Sequence, residues 1–288
     1  MRKFLINLAY IVIFLLVVNA ILYEIVEDYY NNYQRKMNNQ FEVVLLADSH
    51  GAALGNSPEK IGIFNFSEPS ENYIDMNRKI NYMITNQGVK KILISVDDHS
   101  LSQYREKMHN NDRSIFYCEP FMSIGHFFKE NILWNRYLKR YLVLLNIKSR
   151  DLIIAKARSL VLKQHRMETN WSKLSNDLKE KKVDDRFRFQ FTQKKSYKLE
   201  SILIEIIDTC YKHNVELIGI KFPLSDSFSK KIADSSYGAD SVFKANNLRV
   251  LDFRDVFSNH DDYFYDQDHL NIDGCDSIIN ILERHLLN

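Results

Sequence analysis

The sequence is poor in the residues that cross-link or hinge a chain. Its 288 residues include three cysteines, four prolines and eight glycines. Cys118, Cys210 and Cys275 are far apart and form no CxxC pair, which leaves too few thiols for a disulfide scaffold or a zinc site. We therefore predict an ordinary hydrophobic core, without a metal or another cofactor.

The chain also lacks a strong charge of either sign. It carries 39 lysines and arginines against 37 aspartates and glutamates, a formal net charge of +2. Proteins that bind the phosphate backbone usually show a clear basic excess, so a nucleic-acid partner is not expected. The hydrophobic share of 45% is typical of a globular chain.

One long apolar run is present, and it lies at the N-terminus. Residues 4–23 contain no charge and match the roughly twenty residues that span a bilayer. Arg2 and Lys3 precede the run, whereas acidic residues follow it, which predicts a cytoplasmic N-terminus. We predict a single-pass membrane anchor over 1–23, with the remaining chain periplasmic or extracellular. A cleaved signal peptide ending near Val18-Asn19-Ala20 is the alternative.

After a polar, tyrosine-rich segment at 24–40, interpreted as a juxtamembrane stalk, short apolar runs alternate with helix-compatible stretches, including 70–86 and 272–287. This pattern predicts an α/β domain over 41–288 with a parallel sheet covered on both faces. The predicted strands are Phe41–Ala47, Ile61–Phe66, Lys91–Val96, Val215–Phe222 and Leu248–Phe253.

No strand is predicted between about 100 and 196, which we interpret as a helical insertion. The stretches 127–145 and 152–164 mix aromatic with basic residues. Such charges could face an anionic polymer or lipid headgroups, but a solvated helix face explains them equally well.

Three residues at the two ends of this domain predict a catalytic triad. Ser49 directly follows the first strand, and Asp266 and His269 precede the last helix. A serine needs a base to take its proton, and the base needs a carboxylate to orient it. The spacing of three allows Asp266 to reach one imidazole nitrogen while the other faces Ser49. Asp268 is expected to be too close in sequence to share this geometry easily; capping of the last helix by Asp266 and His269 is the alternative role.

These blocks resemble the SGNH, or GDSL-like, hydrolase superfamily. The first reads Leu46-Ala47-Asp48-Ser49-His50-Gly51, and the last, Asp-x-x-His, is Asp266 to His269 followed by Asn271 and Gly274. The resemblance implies a three-layer α/β/α flavodoxin-like fold. The Asp-Ser-His variant looks like members that acylate or deacylate cell-surface polysaccharides, some of them alongside membrane acyltransferase modules.

The oxyanion hole departs from the family pattern, which uses the serine amide, a glycine amide and an asparagine side chain. The second block offers amides at Ser67 or Ser70, since Pro69 has no N–H. The third reads Asp97-Asp98-His99, where an ionised carboxylate would repel an oxyanion and His99 is the candidate donor. Asp48, His50 and Asp98 are candidates for substrate binding.

The resemblance and the anchor together predict an extracytoplasmic serine O-acyltransferase that acts on a cell-surface or secreted glycan. The candidate partner of this enzyme is a membrane acyltransferase that donates the acyl group. An esterase of such a glycan shares the same triad. A non-catalytic polysaccharide-assembly or binding subunit is the third reading, motivated by the missing glycine and asparagine.

Overall fold

A computed structural model describes residues 1–38, 40–119, 138, 141–146, 149–154 and 170–287. By its internal contacts the chain divides into two compact units, Met1–Asn39 with Asn111–Met167, and Gln40–Asn110 with Glu168–Asn288. The predicted start of the α/β domain at 41 lies next to the division between the units at residues 39 and 40. Part of the predicted insertion, Asn111–Met167, belongs to the same unit as the N-terminal helix. The expected helices at 127–145 and 152–164 fall largely outside the described residues.

The first unit is built on one long helix, α1, at Arg2–Met37. Within the described residues it is the one helix whose length and apolar composition would allow it to cross a membrane, a test that a signal sequence also passes. The helix continues through the predicted stalk, where Val26, Tyr30, Tyr33 and Met37 are buried. Their spacing of four, three and four residues places them on one face.

That buried face of α1 packs within the first unit against α5 (Asn111–Cys118) and a 3-10 turn at Val143–Leu145. The Tyr30 hydroxyl donates to Asp112 at 3.4 Å and accepts from the Asn146 amide at 3.2 Å. The aromatic residues of the predicted stalk therefore serve as a packing surface.

The second unit contains a five-stranded parallel sheet in the order β2-β1-β3-β4-β5, which confirms the predicted α/β fold class. The central strands β1 and β3 are short, apolar and almost fully buried, as expected for strands covered on both faces. The strands are Val43–Leu46 (β1), Phe64–Asn65 (β2), Lys91–Ser95 (β3), Glu216–Lys221 (β4) and Val250–Asp252 (β5).

Helices flank the sheet, and those at Tyr73–Asn86 and Ile272–Leu287 lie at the predicted positions 70–86 and 272–287. Further helices among the described residues are Ser49–Ala53 (α2), Tyr73–Asn86 (α3), Gln103–Lys107 (α4), Asn176–Phe191 (α6), Tyr197–Lys212 (α7), Asp226–Ile232 (α8), Ala239–Ala245 (α9) and Ile272–Leu287 (α10), with 3-10 turns at Ser57–Ile61, Trp171–Lys173 and Asp261–Tyr263.

The two faces of the sheet bury alternate residues of each strand. Leu45 and Leu93 belong to a hydrophobic cluster that also contains Ile278 and Leu282 of α10. Their neighbours along the strands point to the opposite face of the sheet. Elsewhere in this unit α3 packs against α7. Parallel pairing brings the carboxyl ends of all five strands to one edge, where open α/β sheets place their ligands.

The predicted second strand, Ile61–Phe66, begins three residues too early. Ser57–Ile61 forms a 3-10 turn instead, and Gly62 ends it with a left-handed backbone at φ 75°. A left-handed residue cannot continue an extended strand, so pairing with β1 starts only at Phe64.

Candidate active site

Ser49 is placed by a tight strand-to-helix turn. It is the first residue of α2, and the preceding Asp48 caps this helix by accepting the amide of His50 at 3.0 Å. A Cβ on Gly51 would lie 2.5 Å from the Ser67 hydroxyl and 2.6 Å from the Ala47 Cβ. Glycine at 51 therefore lets α2 lie directly against the ends of β1 and β2, with the Ser49 side chain half-buried.

Asp266 and His269 lie in a loop between Asp261–Tyr263 and α10. An antiparallel bridge between Phe264 and Leu270 closes this loop, and the Tyr265 amide donates to the His269 carbonyl at 2.8 Å. One oxygen of Asp266 accepts the amides of Asp268 and His269 at 3.1 and 2.9 Å. Asp266 thus organises the loop backbone, and it does not cap α10.

The structure brings the three predicted triad residues together. The Nε2 atom of His269 lies 2.9 Å from the Ser49 hydroxyl oxygen. Its Nδ1 atom lies 2.9 and 3.0 Å from the two Asp266 carboxylate oxygens. A proton on Nδ1 that is donated to Asp266 leaves Nε2 as the acceptor for the serine proton, which is the geometry of an activated nucleophile.

A second carboxylate also contacts the imidazole. Asp268 is 2% exposed, and one of its oxygens lies 3.3 Å from Nδ1 of His269. The expectation that Asp268 is too close in sequence to take part was wrong, because the bends at 265–268 turn its side chain back toward the ring. Burial opposes the imidazolium, but Asp268 and Asp266 outweigh it and raise the pKa of His269 to about 9.

His50 and Asp48, two candidates for substrate binding, are buried and paired. His50 Nδ1 lies 3.0 Å from an Asp97 oxygen. Burial alone would lower the pKa of His50, but the charges of Asp48 and Asp97 outweigh burial and raise this pKa well above its usual range. Asp48 lies 3.1 Å from Arg105, and despite burial the charges of Arg105 and His50 hold its pKa well below the usual range.

Asp98, the third candidate for substrate binding, is held in a buried ion pair. Its two oxygens bind the Lys221 ammonium at 2.5 Å and the Arg254 guanidinium at 3.1 Å. Asp98 is 4% exposed and Lys221 is 2% exposed. These contacts occupy the carboxylate and favour a structural role at the ends of β3 and β4.

The four candidates for the oxyanion hole have different surroundings. The Ser67 amide already donates to the side chain of Asn65 at 3.1 Å, and Nε2 of His99 pairs with Asp48 at 3.3 Å. Ser70 is partly exposed with a left-handed backbone at φ 66°. The Ser67 amide and the His99 ring are thus already paired, which weakens both as oxyanion donors, and the Ser49 and Ser70 amides stay candidates.

Among the described residues, two groups of three side chains place their carboxylate oxygens and imidazole nitrogens within 4.8 Å of one another. One group is His50, Asp268 and His269, and the other is Asp48, His50 and Asp97. They share His50, and their atoms pair with each other across 3.0 to 3.5 Å. Contacts of His50 with Asp97 and Asp268 explain why these side chains lie close together, and the absence of a metal stays a prediction.

The side chains that sequence reasoning missed are those that surround the triad through long-range pairs. They share a charge, a buried partner and a large sequence separation, which leaves no local spacing to detect. They are Asp97, Arg105, Arg186, Lys221 and Arg254.

The fold and the site together define an α/β protein with a serine–histidine–aspartate constellation at the carboxyl edge of its sheet. No protein-family model matches the chain, and no match was found among curated proteins. The solved structures to which the chain is similar include a GDSL-like lipase and an acylhydrolase.

One similar structure is a GDSL-like lipase from Bacteroides thetaiotaomicron, with 8% identity and a TM-score of 0.45 over 89% of this chain and 96% of the other. Another is a candidate acylhydrolase from Bacteroides fragilis, with 9% identity and a TM-score of 0.42 over 91% and 95% of the two chains. At these values the likeness carries no argument of its own, so the activity must be argued from the side chains.

Proposed function

We propose that this protein is an extracytoplasmic serine O-acyltransferase that acts on a cell-surface or secreted glycan. The observation that carries the chemistry is the chain of contacts from Ser49 through His269 to Asp266, each link at 2.9 Å. The apolar residues 4–23 of α1, as a membrane anchor with a cytoplasmic N-terminus, support the location.

In the first step, Nε2 of His269 removes the Ser49 proton while the serine oxygen attacks the carbonyl carbon of an acyl ester. Asp266 holds the proton on Nδ1 and stabilises the imidazolium that forms. When the tetrahedral intermediate collapses, His269 returns the proton to the departing alkoxide, which leaves as an alcohol. The acyl group remains on Ser49 as an ester.

In the second step, His269 removes the proton of a sugar hydroxyl, whose oxygen attacks the acyl-serine. Collapse gives the acylated sugar, and the proton passes from His269 back to Ser49. Water in place of the sugar hydroxyl gives an esterase with the same residues. A membrane acyltransferase that delivers the acyl group is the partner we propose for the first step.

The partition of the acyl group tests this proposal. The full chain in detergent is given p-nitrophenyl acetate as donor and a methyl glycoside as acceptor, and mass spectrometry follows acetyl-Ser49, acetylated glycoside and acetate. Ser49→Ala removes the nucleophile, and Ser258→Ala, an exposed serine on another loop, is the matched control.

Transfer predicts acetylated glycoside from the wild type and from Ser258→Ala, and none from Ser49→Ala. Acetate alone would identify an esterase. Equal, background release of nitrophenol from the wild type and Ser49→Ala would favour a non-catalytic polysaccharide-binding or assembly subunit.

A further inference from the structure

The loop that carries His269 holds a second buried carboxylate whose two oxygens face two different histidines. One oxygen of Asp268 lies 3.3 Å from Nδ1 of His269, and the other lies 3.5 Å from Nε2 of His50. Asp268 is 2% exposed. Buried carboxylates are costly unless they are paired, so this side chain must be fixed by its neighbours.

His50 extends the contact deeper into the unit. Its Nδ1 atom lies 3.0 Å from one oxygen of Asp97, and the other Asp97 oxygen accepts the amide of Phe222 at 2.9 Å. An imidazole with a carboxylate on each nitrogen is held in one orientation, and it favours the doubly protonated form. A continuous line of alternating rings and carboxylates therefore runs from His269 through Asp268 and His50 to Asp97.

We propose that Asp268 is a positioning residue for His269, acting beside Asp266 as a second carboxylate on Nδ1 and joining the catalytic base to the buried pair of His50 and Asp97. The inference rests on the proposed function, in which His269 is the base. Two carboxylates at one nitrogen fix the ring more firmly than one, and they also stabilise the imidazolium that forms when Ser49 gives up its proton.

Arg186 regulates how strongly Asp268 can act on the ring. Its guanidinium donates to the same Asp268 oxygen that faces His269, at 2.9 Å, and the Gln190 and Gln267 amides also donate to this carboxylate. Arg186 lies on α6, and its side chain is 27% exposed. Removing Arg186 should leave more of the negative charge of Asp268 available to His269.

The charged and titratable groups around His269 come from three elements among the described residues. Asp266 and Asp268 lie on the same loop as His269. Ser49 and His50 lie on α2, and the centroid of the His50 ring is 5.3 Å from that of the His269 ring. Arg186 lies on α6 and acts on His269 through its hydrogen bond to Asp268. Asp268→Asn and Arg186→Gln therefore change this environment in opposite directions.

The test measures the pH dependence of two signals in the full chain in detergent. The rate of fluorophosphonate labelling at Ser49 reports neutral His269, and NMR titration of the His269 ring reports its protonation without any need for activity. Thermal melting followed by circular dichroism identifies a variant that has lost its fold. Arg186→Gln keeps the test decisive if Asp268→Asn does not fold, because its partly exposed side chain is the less disruptive change.

We expect Asp268→Asn to move the acid limb of labelling and the His269 titration to lower pH by about one unit, and Arg186→Gln to move both to higher pH. Unchanged limbs and titrations in both folded variants would overturn the inference. A wild type that does not label at any pH would instead refute the proposed function, and the His269 titration alone would then decide whether Asp268 acts on the ring.

Discussion

The raised pKa of His269 makes a direct prediction for the wild type: its reactivity should rise steeply with pH. His269 can accept the Ser49 proton only when its Nε2 is unprotonated. Burial favours the neutral ring, but Asp268 and Asp266 outweigh burial and bring the pKa to about 9. The base form is therefore the minor form at neutral pH and becomes the major form only above pH 9.

The size of the effect follows from simple titration. With a pKa of about 9, roughly 1% of His269 is neutral at pH 7 and roughly 9% at pH 8. At a fixed, subsaturating concentration of reagent, the rate of Ser49 labelling should therefore rise almost tenfold between pH 7 and pH 8. It should rise about fivefold more between pH 8 and pH 9, and level off at higher pH.

Labelling with a fluorescent fluorophosphonate, quenched at several times between pH 6 and pH 10, measures this rise in rate after correction for hydrolysis of the reagent. Melting temperatures over the same range show whether the protein stays folded. A rate that is flat between pH 7 and pH 9, or one that levels off near pH 6.5 as for an ordinary histidine, would refute the reasoning that two carboxylates act on His269.

Three further predictions concern the structure around the site. Asp98→Ala should lower the free energy of unfolding by about 3 kcal/mol, measured in urea, because it leaves the buried Lys221 ammonium without its closest partner; an unchanged midpoint would contradict this. Gly274→Ala should lower the melting temperature, since a Cβ there would collide with the Tyr263 carbonyl, and a wild-type melt would show that the loop can yield. A reporter fused after Asn288 should be active only outside the cytoplasm, and cytoplasmic activity would refute the proposed location.

Much of the fold could be predicted from the sequence because its signals are local. A buried parallel strand such as Lys91–Ser95 is a short apolar run, and the helix at Ile272–Leu287 shows its apolar face at helical spacing. The second strand was predicted too long, because the apolar Ile61 and Ile63 flank a left-handed Gly62 that ends a 3-10 turn.

The candidate triad could also be proposed from spacing, since Ser49 follows a strand and Asp266 lies three residues before His269. Asp268 could not, because its orientation depends on bends in the loop backbone that no periodicity encodes. The buried partners of Asp98 were equally invisible, since Lys221 lies 123 residues away along the chain. Long-range ion pairs form only when the sheet brings distant strand ends together.

The central claim is that Ser49 is a nucleophile activated by His269, and site-resolved labelling tests it most directly. After incubation with a fluorophosphonate at pH 9, the full chain is digested and the peptide that contains Ser49 is weighed by mass spectrometry. The account predicts a phosphonyl adduct on Ser49 in the wild type, and its loss in a folded His269→Ala variant. No adduct on the wild type, or equal adducts on both proteins, would contradict it.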